Sequence, residues 1–256
     1  IGMDHETHLG RTIEAIAEDK AGAMHPGGLA VTGPQVPAAM DVLRSRAGQV
    51  GCPLHMAEDS TLAASVLADT APAMPGAHQM DNARLALAGL EAASPLLGLD
   101  VDPAACARAV ADTRVPGRLQ RVDLNGCEAW LDGAHNAQAL EALRAALDAL
   151  GVDPAAVVFT CLKDKELTGM LPVLRGLGRG PVLVPGIPGC GRAADPRELA
   201  RAIGCRAEAV ADIDTALLHA CAAAEAGGGP VLVCGSLYLL GEFYRKHPGA
   251  LEPCSI

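Results

Sequence analysis

In the stretch AWLDGAHNAQALEALRAAL, residues 129–147, an apolar run ends on Asp132, and His135 and Asn136 follow before a helical pattern begins. A plain strand-to-helix connection needs only a glycine and a capping residue. An acid, an imidazole and an amide in one short turn add a strong acceptor, a proton-transfer group and a second cap. Two more polar groups stand in the same relation to an apolar run: Lys163, Asp164 and Lys165 after AVVFTC, and Gly235 with Ser236 after PVLVCG. Taken singly, Asn136 and Ser236 read as helix caps, and 163–165 as a solvated loop. Placed together on one edge of a sheet, they read as a ligand site.

The elements that would position them follow a regular rhythm. LQRVDLNGCEAWLDG reads as a hairpin of two short strands joined at Asn125-Gly126, a strong turn signal. From Asn136, which its side chain suits to the N-cap, the apolar residues Leu140, Leu143, Leu147 and Leu150 fall on one helical face. Strands AVVFTC, PVLVP, AEAV and PVLVCG then alternate with helices ELTGMLPVLRGL, DPRELARAI, DIDTALLHACAAAEA and SLYLLGEFYRK. Short apolar strands alternating with helices predict an α/β fold: a Rossmann-like, mostly parallel sheet covered on both faces. Such sheets bind ligands beyond the carboxyl ends of their strands, where helix N-termini point.

Composition narrows the class. Half of the 256 residues are apolar but only 2% are aromatic, so the core must be built from Ala, Leu and Val. The net charge of −10 argues against nucleic acid as a partner. No run approaches the roughly 18 apolar residues of a membrane span, and no signal peptide is visible. The nine cysteines form no C-x-x-C pair and lie mostly in apolar surroundings. They are expected to be reduced core thiols of a cytoplasmic protein, neither a disulfide framework nor a zinc site.

The charge is unevenly spread. Residues 1–112 hold six basic and fourteen acidic side chains, and 113–256 hold fourteen and sixteen. The change coincides with the Pro/Gly turn in ADTRVPGRLQ, which places a domain boundary near residue 113. The opening IGMDHETHLG lacks an initiator methionine and reads as a strand end running into a loop, as if the chain began inside a fold.

LDGAHN, preceded by PGRLQ and followed by GSLYLLGE, resembles the C-terminal domain of the folylpolyglutamate synthase/dihydrofolate synthase family, in the Mur ligase superfamily. IGMDHETHLGRTIEAIAEDKAGAMHPG is similar to that family's metal-histidine and modified-lysine segment, and GPQVPAAMDVLRSRA to the stretch after it. HQMDNARLALAGLEA resembles its helix near the adenine. The matches run in family order along the chain, and GSLYL points to the folate branch. The resemblance implies that residues 1–112 are the tail of an α/β P-loop ATPase domain and 113–256 the whole glutamate ligase domain.

The family phosphorylates a pteroate or folate carboxylate with ATP, and the amine of L-glutamate attacks the acyl phosphate. By resemblance, Asn82, Arg118 and Asp132 contact ATP, with Arg118 at the interdomain turn. His5 binds Mg²⁺, and Lys20 is carbamylated, which turns an ammonium into an oxygen ligand. On the residues alone, His5 reads as a polar loop residue and Lys20 as a salt-bridged helix residue. His135, with Ser236 and Tyr238, is expected around glutamate, and His135 and Lys20 carry the catalytic roles. Neither Asp132 nor His135 belongs to the apolar helix face, so removing either is expected to leave the fold nearly intact.

Two departures from the family pattern stand out. His25 replaces a common lysine before Pro26-Gly27, and a phosphate loop of the G-T-N-G-K-G-S kind is absent from the 256 residues, as are the upstream magnesium ligands. The expectation is a C-terminal part, about 60% of a two-domain synthetase, inactive alone and monomeric, with small-molecule substrates and no membrane partner. The alternatives are a Mur-type ligase of cell-wall precursors and a non-enzymatic nucleotide-binding module.

Overall fold

The structure is a computed structural model that describes residues 1–2 and 12–251. His5 lies outside the described residues, as does Cys254. The chain folds as two compact units, Ile1–Thr113 and Arg114–Ile256.

In the first unit, helix α1 (Ile13–Ala21) starts where the Thr12 hydroxyl accepts from the Ala15 N–H at 3.2 Å. Strand β1 (Ala30–Thr32) pairs in parallel with β2 (Leu54–Met56) across helix α2 (Pro37–Val50), which begins on a proline suited to the first helical turn. Helices α3 (Thr61–Asp69), α4 (Ala77–Leu97) and α5 (Pro103–Asp112) follow. A small apolar cluster of Ala63, Val66 and Leu87, with Cys106 and Val110 against it, joins these three helices. Glu91 on α4 reinforces the joint at the N-terminus of α3. It accepts from the Ser60 and Thr61 hydroxyls, both at 2.5 Å, and from the Leu62 N–H at 3.2 Å. An anion there also complements the helix dipole.

The second unit is a six-stranded sheet in the order β3-β4-β8-β5-β6-β7. Its strands are β3 (Gln120–Leu124), β4 (Cys127–Leu131), β5 (Ala156–Phe159), β6 (Val182–Pro185), β7 (Ala207–Val210) and β8 (Val231–Cys234). Only β3–β4, the hairpin turning at Asn125-Gly126, is antiparallel; every other pair is parallel. The fold is therefore α/β with a mostly parallel sheet.

Side-chain alternation along the strands supplies two cores. Val157, Phe159 and Cys161 meet α6 (Ala137–Leu150), α7 (Leu167–Arg175) and α8 (Pro196–Ile203) on one face. Ala156 and Val158 meet α9 (Ile213–Gly227) and α10 (Leu237–Lys246) on the other. Leu140, Leu143 and Leu147 are buried as their spacing predicts, but Leu150 is 45% exposed. It is the last residue before the left-handed Gly151 cap, where the helix ends.

One cysteine expectation needs correction. Cys52, Cys161 and Cys234 are free buried thiols, but Cys127 and Cys221 are joined as a disulfide, their Cα atoms 5.8 Å apart. Cys127 opens β4 and Cys221 lies on α9, which packs on the same sheet face. A pairing across 94 residues leaves no local trace in sequence. Among the described residues, no helix is long and apolar enough to cross a membrane.

The Ser60 and Thr61 hydroxyls hold the Glu91 carboxyl below its ordinary value of 4.5. Its folded value thus lies below its unfolded one, so its stabilising contribution is present above that range and fades as pH falls through the folded value. Acid titration followed by circular dichroism is expected to show the first unit losing stability below about pH 4.5. Glu91→Gln should flatten that limb; an unchanged limb would exclude Glu91 as its source.

Candidate functional site

Strands β4, β8 and β5 are adjacent and parallel, so the polar groups that follow them emerge at one edge of the second unit's sheet. The loop after β4 is built around Asp132, which is 7% exposed. Its N–H donates to the Val233 carbonyl at 3.0 Å, continuing the pairing with β8. Its two carboxylate oxygens accept backbone N–H groups on either side: Leu119 at 2.9 Å and Ala134 at 2.8 Å. The Gly133 N–H donates to the Gly117 carbonyl at 2.8 Å, and the Gly235 N–H to the Ala134 carbonyl at 2.8 Å. Three segments, 117–119, 132–134 and 235, are thus laced together.

Two backbone positions show how tight this lacing is. Leu119 is buried in the left-handed region, with φ of 47°, a conformation costing a non-glycine residue about 1–2 kcal/mol. Gly235 has φ of 109°, and a Cβ there would run into the Thr160 carbonyl oxygen and lie 2.6 Å from the Phe159 ring. Only glycine fits between β8 and the end of β5.

The side chains of the expected site sit on this frame. Arg118 is exposed, and its Nη1 lies 3.3 Å from where a Gly133 Cβ would stand, so the guanidinium covers the glycine of the LDGAHN turn. His135 is half-buried, with Nδ1 2.7 Å from the Gly133 carbonyl. A carbonyl only accepts, so Nδ1 carries a proton in this bond. Asn136 caps α6 through the Ala139 N–H at 2.8 Å. Ser236, 2% exposed, caps α10 through the Tyr238 N–H at 3.1 Å. Two helix N-termini therefore face the same sheet edge, a favourable setting for anions. Tyr238 is 47% exposed at the start of α10.

The third polar group is tied elsewhere. Lys163 donates to the Gly191 carbonyl at 2.9 Å, and Asp164 pairs with Arg192 at 3.5 Å. These bonds fasten 163–165 to the loop after β6. In the first unit, Asn82 is exposed on α4 and donates to Gln79 at 3.1 Å. Lys20 is exposed in the last turn of α1 and pairs with its neighbour Asp19 at 3.2 Å, the salt-bridged arrangement its acidic surroundings suggest. No group of three His, Cys, Asp or Glu among the described residues could hold a metal ion.

Gln120 and Tyr244 were not singled out from sequence, yet they support the same loop. The Gln120 side-chain oxygen accepts from the Gly117 N–H at 3.0 Å and from the Tyr244 hydroxyl at 2.6 Å, and its amide donates to the Ala250 carbonyl at 2.6 Å. Burial, then the nearby Asp132 charge, push the Tyr244 phenol up to about 12. Gln120 was visible in PGRLQ, but its partners Tyr244 and Ala250 lie more than 120 residues away.

Against the expectation that removing either Asp132 or His135 leaves the fold nearly intact, these bonds set the two residues apart. Asp132→Ala strands two backbone N–H groups in a buried loop and should destabilise the second unit by about 3 kcal/mol. His135→Ala removes the half-buried bond to the Gly133 carbonyl and strands no backbone N–H there, so it should cost less, about 1 kcal/mol. Denaturant midpoints of the two variants check the contrast, and equal losses would contradict it.

Comparison with known proteins finds relatives that span this loop. A family profile described as the Mur ligase glutamate ligase domain matches residues 117–237. The chain is 28% identical to the dihydrofolate synthetase of Saccharomyces cerevisiae over 98% of its own length and 65% of the relative's. It is 31% identical to the dihydrofolate synthase/folylpolyglutamate synthase of Mycobacterium tuberculosis over 80% of its length and 46% of the relative's. The chain thus spans less than two thirds of these relatives. Among solved structures, M. tuberculosis folylpolyglutamate synthase complexed with ADP and AMPPCP superposes with a TM-score of 0.81 at 26% identity, over 96% of this chain and 62% of that one. E. coli FolC in complex with DHPP and ADP gives 0.74 at 25% identity, over 98% and 60%. The chain thus carries the Mur ligase glutamate ligase domain around its LDGAHN loop and is similar along its own length to folylpolyglutamate synthases and dihydrofolate synthases.

Proposed function

We propose that this chain belongs to an ATP-dependent amide ligase that joins L-glutamate to dihydropteroate or to folates. The observation that carries the reading is the braced loop 132–136, which sets His135 at a helix N-terminus beside a second helix N-terminus, with Arg118 over the turn. The nucleotides in the related structures support ATP as the co-substrate.

A carboxylate is a poor acceptor for an amine because its leaving group is oxide. In this reading the substrate carboxylate takes the γ-phosphoryl group of ATP, releasing ADP. The glutamate amine then attacks the acyl carbon, phosphate leaves, and the amine proton passes to solvent or base. Asn82, Arg118 and Asp132 are assigned to ATP, with the guanidinium of Arg118 suited to a phosphate. His135, Ser236 and Tyr238 are assigned to glutamate, and positioning its amine makes the attack effectively unimolecular. The protein acts in the cytoplasm as a monomer on small molecules, without nucleic acid or membrane.

Mg²⁺ would lower the charge of the transferring phosphates. The described residues do not by themselves form a site for it, and an ammonium such as Lys20 cannot ligate a cation. Carbamylation of this exposed lysine, together with His5, is the form in which the chain would contribute to that site.

The test is phosphate release dependent on both glutamate and a pteroate or folate, in the protein that carries this chain together with a phosphate loop. Release that requires a cell-wall precursor instead would move the assignment to the Mur-type ligases, and nucleotide binding without turnover would favour a binding module. His135→Ala is expected to raise the KM for glutamate at least tenfold, roughly 1.4 kcal/mol, with little change for ATP. Lys20→Ala should lower turnover strongly, and short carboxylates should partly restore it. Full activity in Lys20→Arg would show that positive charge suffices and would remove the carbamate.

A further inference from the structure

The Cys127–Cys221 bond lies at the end of the sheet opposite the candidate site, in a setting that the ligase reading does not use. Cys127 is the first residue of β4, directly after the Asn125-Gly126 turn, and Cys221 is on α9. Both residues are half-buried, and both line a surface cavity of about 320 Å³ together with Gly126, Glu225, Gly229 and Pro230. That space suits a small-molecule thiol. The hairpin fastened by the bond is the edge of the sheet: β3 pairs with β4 alone. Apart from the bond, the turn end is held by the ladder and by the partly buried Leu124 and Cys127 against the core shared with α9.

We propose that Cys127 and Cys221 are a reversible dithiol–disulfide latch, opened and closed by low-molecular-weight thiols and their disulfides that reach it through this cavity. In opening, a thiolate attacks one sulfur of the bond, forms a mixed disulfide and releases the other cysteine as a thiolate. A second thiol then completes the exchange, so two thiols become one small disulfide and the protein gains two S–H groups. Closing is the reverse, with the small disulfide as oxidant. The open form frees the turn end of the hairpin, while β5, β6 and β8 keep their pairing at the sheet centre. The proposal stands apart from the ligase assignment, since neither cysteine belongs to the site at the other end of the strands.

The experiment uses the whole chain purified without reductant. Alkylation and non-reducing peptide mass spectrometry should show the 127–221 cross-link, and reduced glutathione should release two thiols without unfolding the protein. Amide exchange should then rise by about tenfold across 120–131 and stay unchanged in β5 and β6, and oxidised glutathione should reverse the change. Glu225→Gln, which removes a negative charge from the cavity, should speed reduction by anionic glutathione at low salt and leave the neutral 2-mercaptoethanol rate unchanged. Cys127→Ser and Cys221→Ser should each reproduce the reduced exchange pattern; if neither folds, the comparison of reduced with oxidised wild type decides. An oxidised chain without the cross-link, a bond that opens only in denaturant, or identical exchange in both states would overturn the proposal.

Discussion

The second unit depends on one buried carboxylate. Asp132 takes a backbone N–H from Leu119 on one oxygen and from Ala134 on the other, at the point where β4 leaves the sheet. A carboxylate that is 7% exposed is costly unless its lone pairs are filled. Here they are filled by amides that have no strand or helix to satisfy them. The same pair of bonds holds Leu119 in a left-handed conformation that a leucine would otherwise leave. The turn 117–119 and the turn 132–134 are therefore a single object, which is how Arg118 comes to cover Gly133.

The charge of Asp132 also reaches groups it does not bind. It adds to burial in raising the Cys234 thiol and the Tyr244 phenol. Both side chains accordingly stay neutral at ordinary pH. For Tyr244 this matters structurally, because a protonated phenol is the donor to Gln120, and Gln120 in turn receives the Gly117 N–H. The braced turn is thus stabilised from two directions, by the acid that accepts from it and by the amide that α10 anchors.

Much of this frame was legible in the sequence, and the limits of legibility follow from range. Apolar runs and glycine turns are local, so the strands from β3 to β8 and the helices from α6 to α10 stand where the pattern places them. Leu150 was misjudged because periodicity does not say where a helix overruns its sheet. The Cys127–Cys221 bond and the Gln120–Tyr244 pair join residues 94 and 124 positions apart, which one chain read in order does not reveal. Asp132 stands out in sequence by its type and place at a strand end, but that its oxygens accept the Leu119 and Ala134 amides is visible only in the coordinates.

Those bonds answer why one turn should contain an acid, a histidine and an amide. Asp132 braces the turn through its carboxylate, and Asn136 starts α6 by capping Ala139. With those tasks assigned, His135 is held through Nδ1, which donates to the Gly133 carbonyl. That bond orients the ring, with Nδ1 as the donor. Ser236 does for α10 what Asn136 does for α6, and Gly235 lets the two loops close on each other. Of the residues proposed for chemistry at this edge, His135 is the one whose bond, to the Gly133 carbonyl, braces the fold least. Removing such a side chain should alter substrate constants before it alters stability, whereas removing a bracing one should do the reverse.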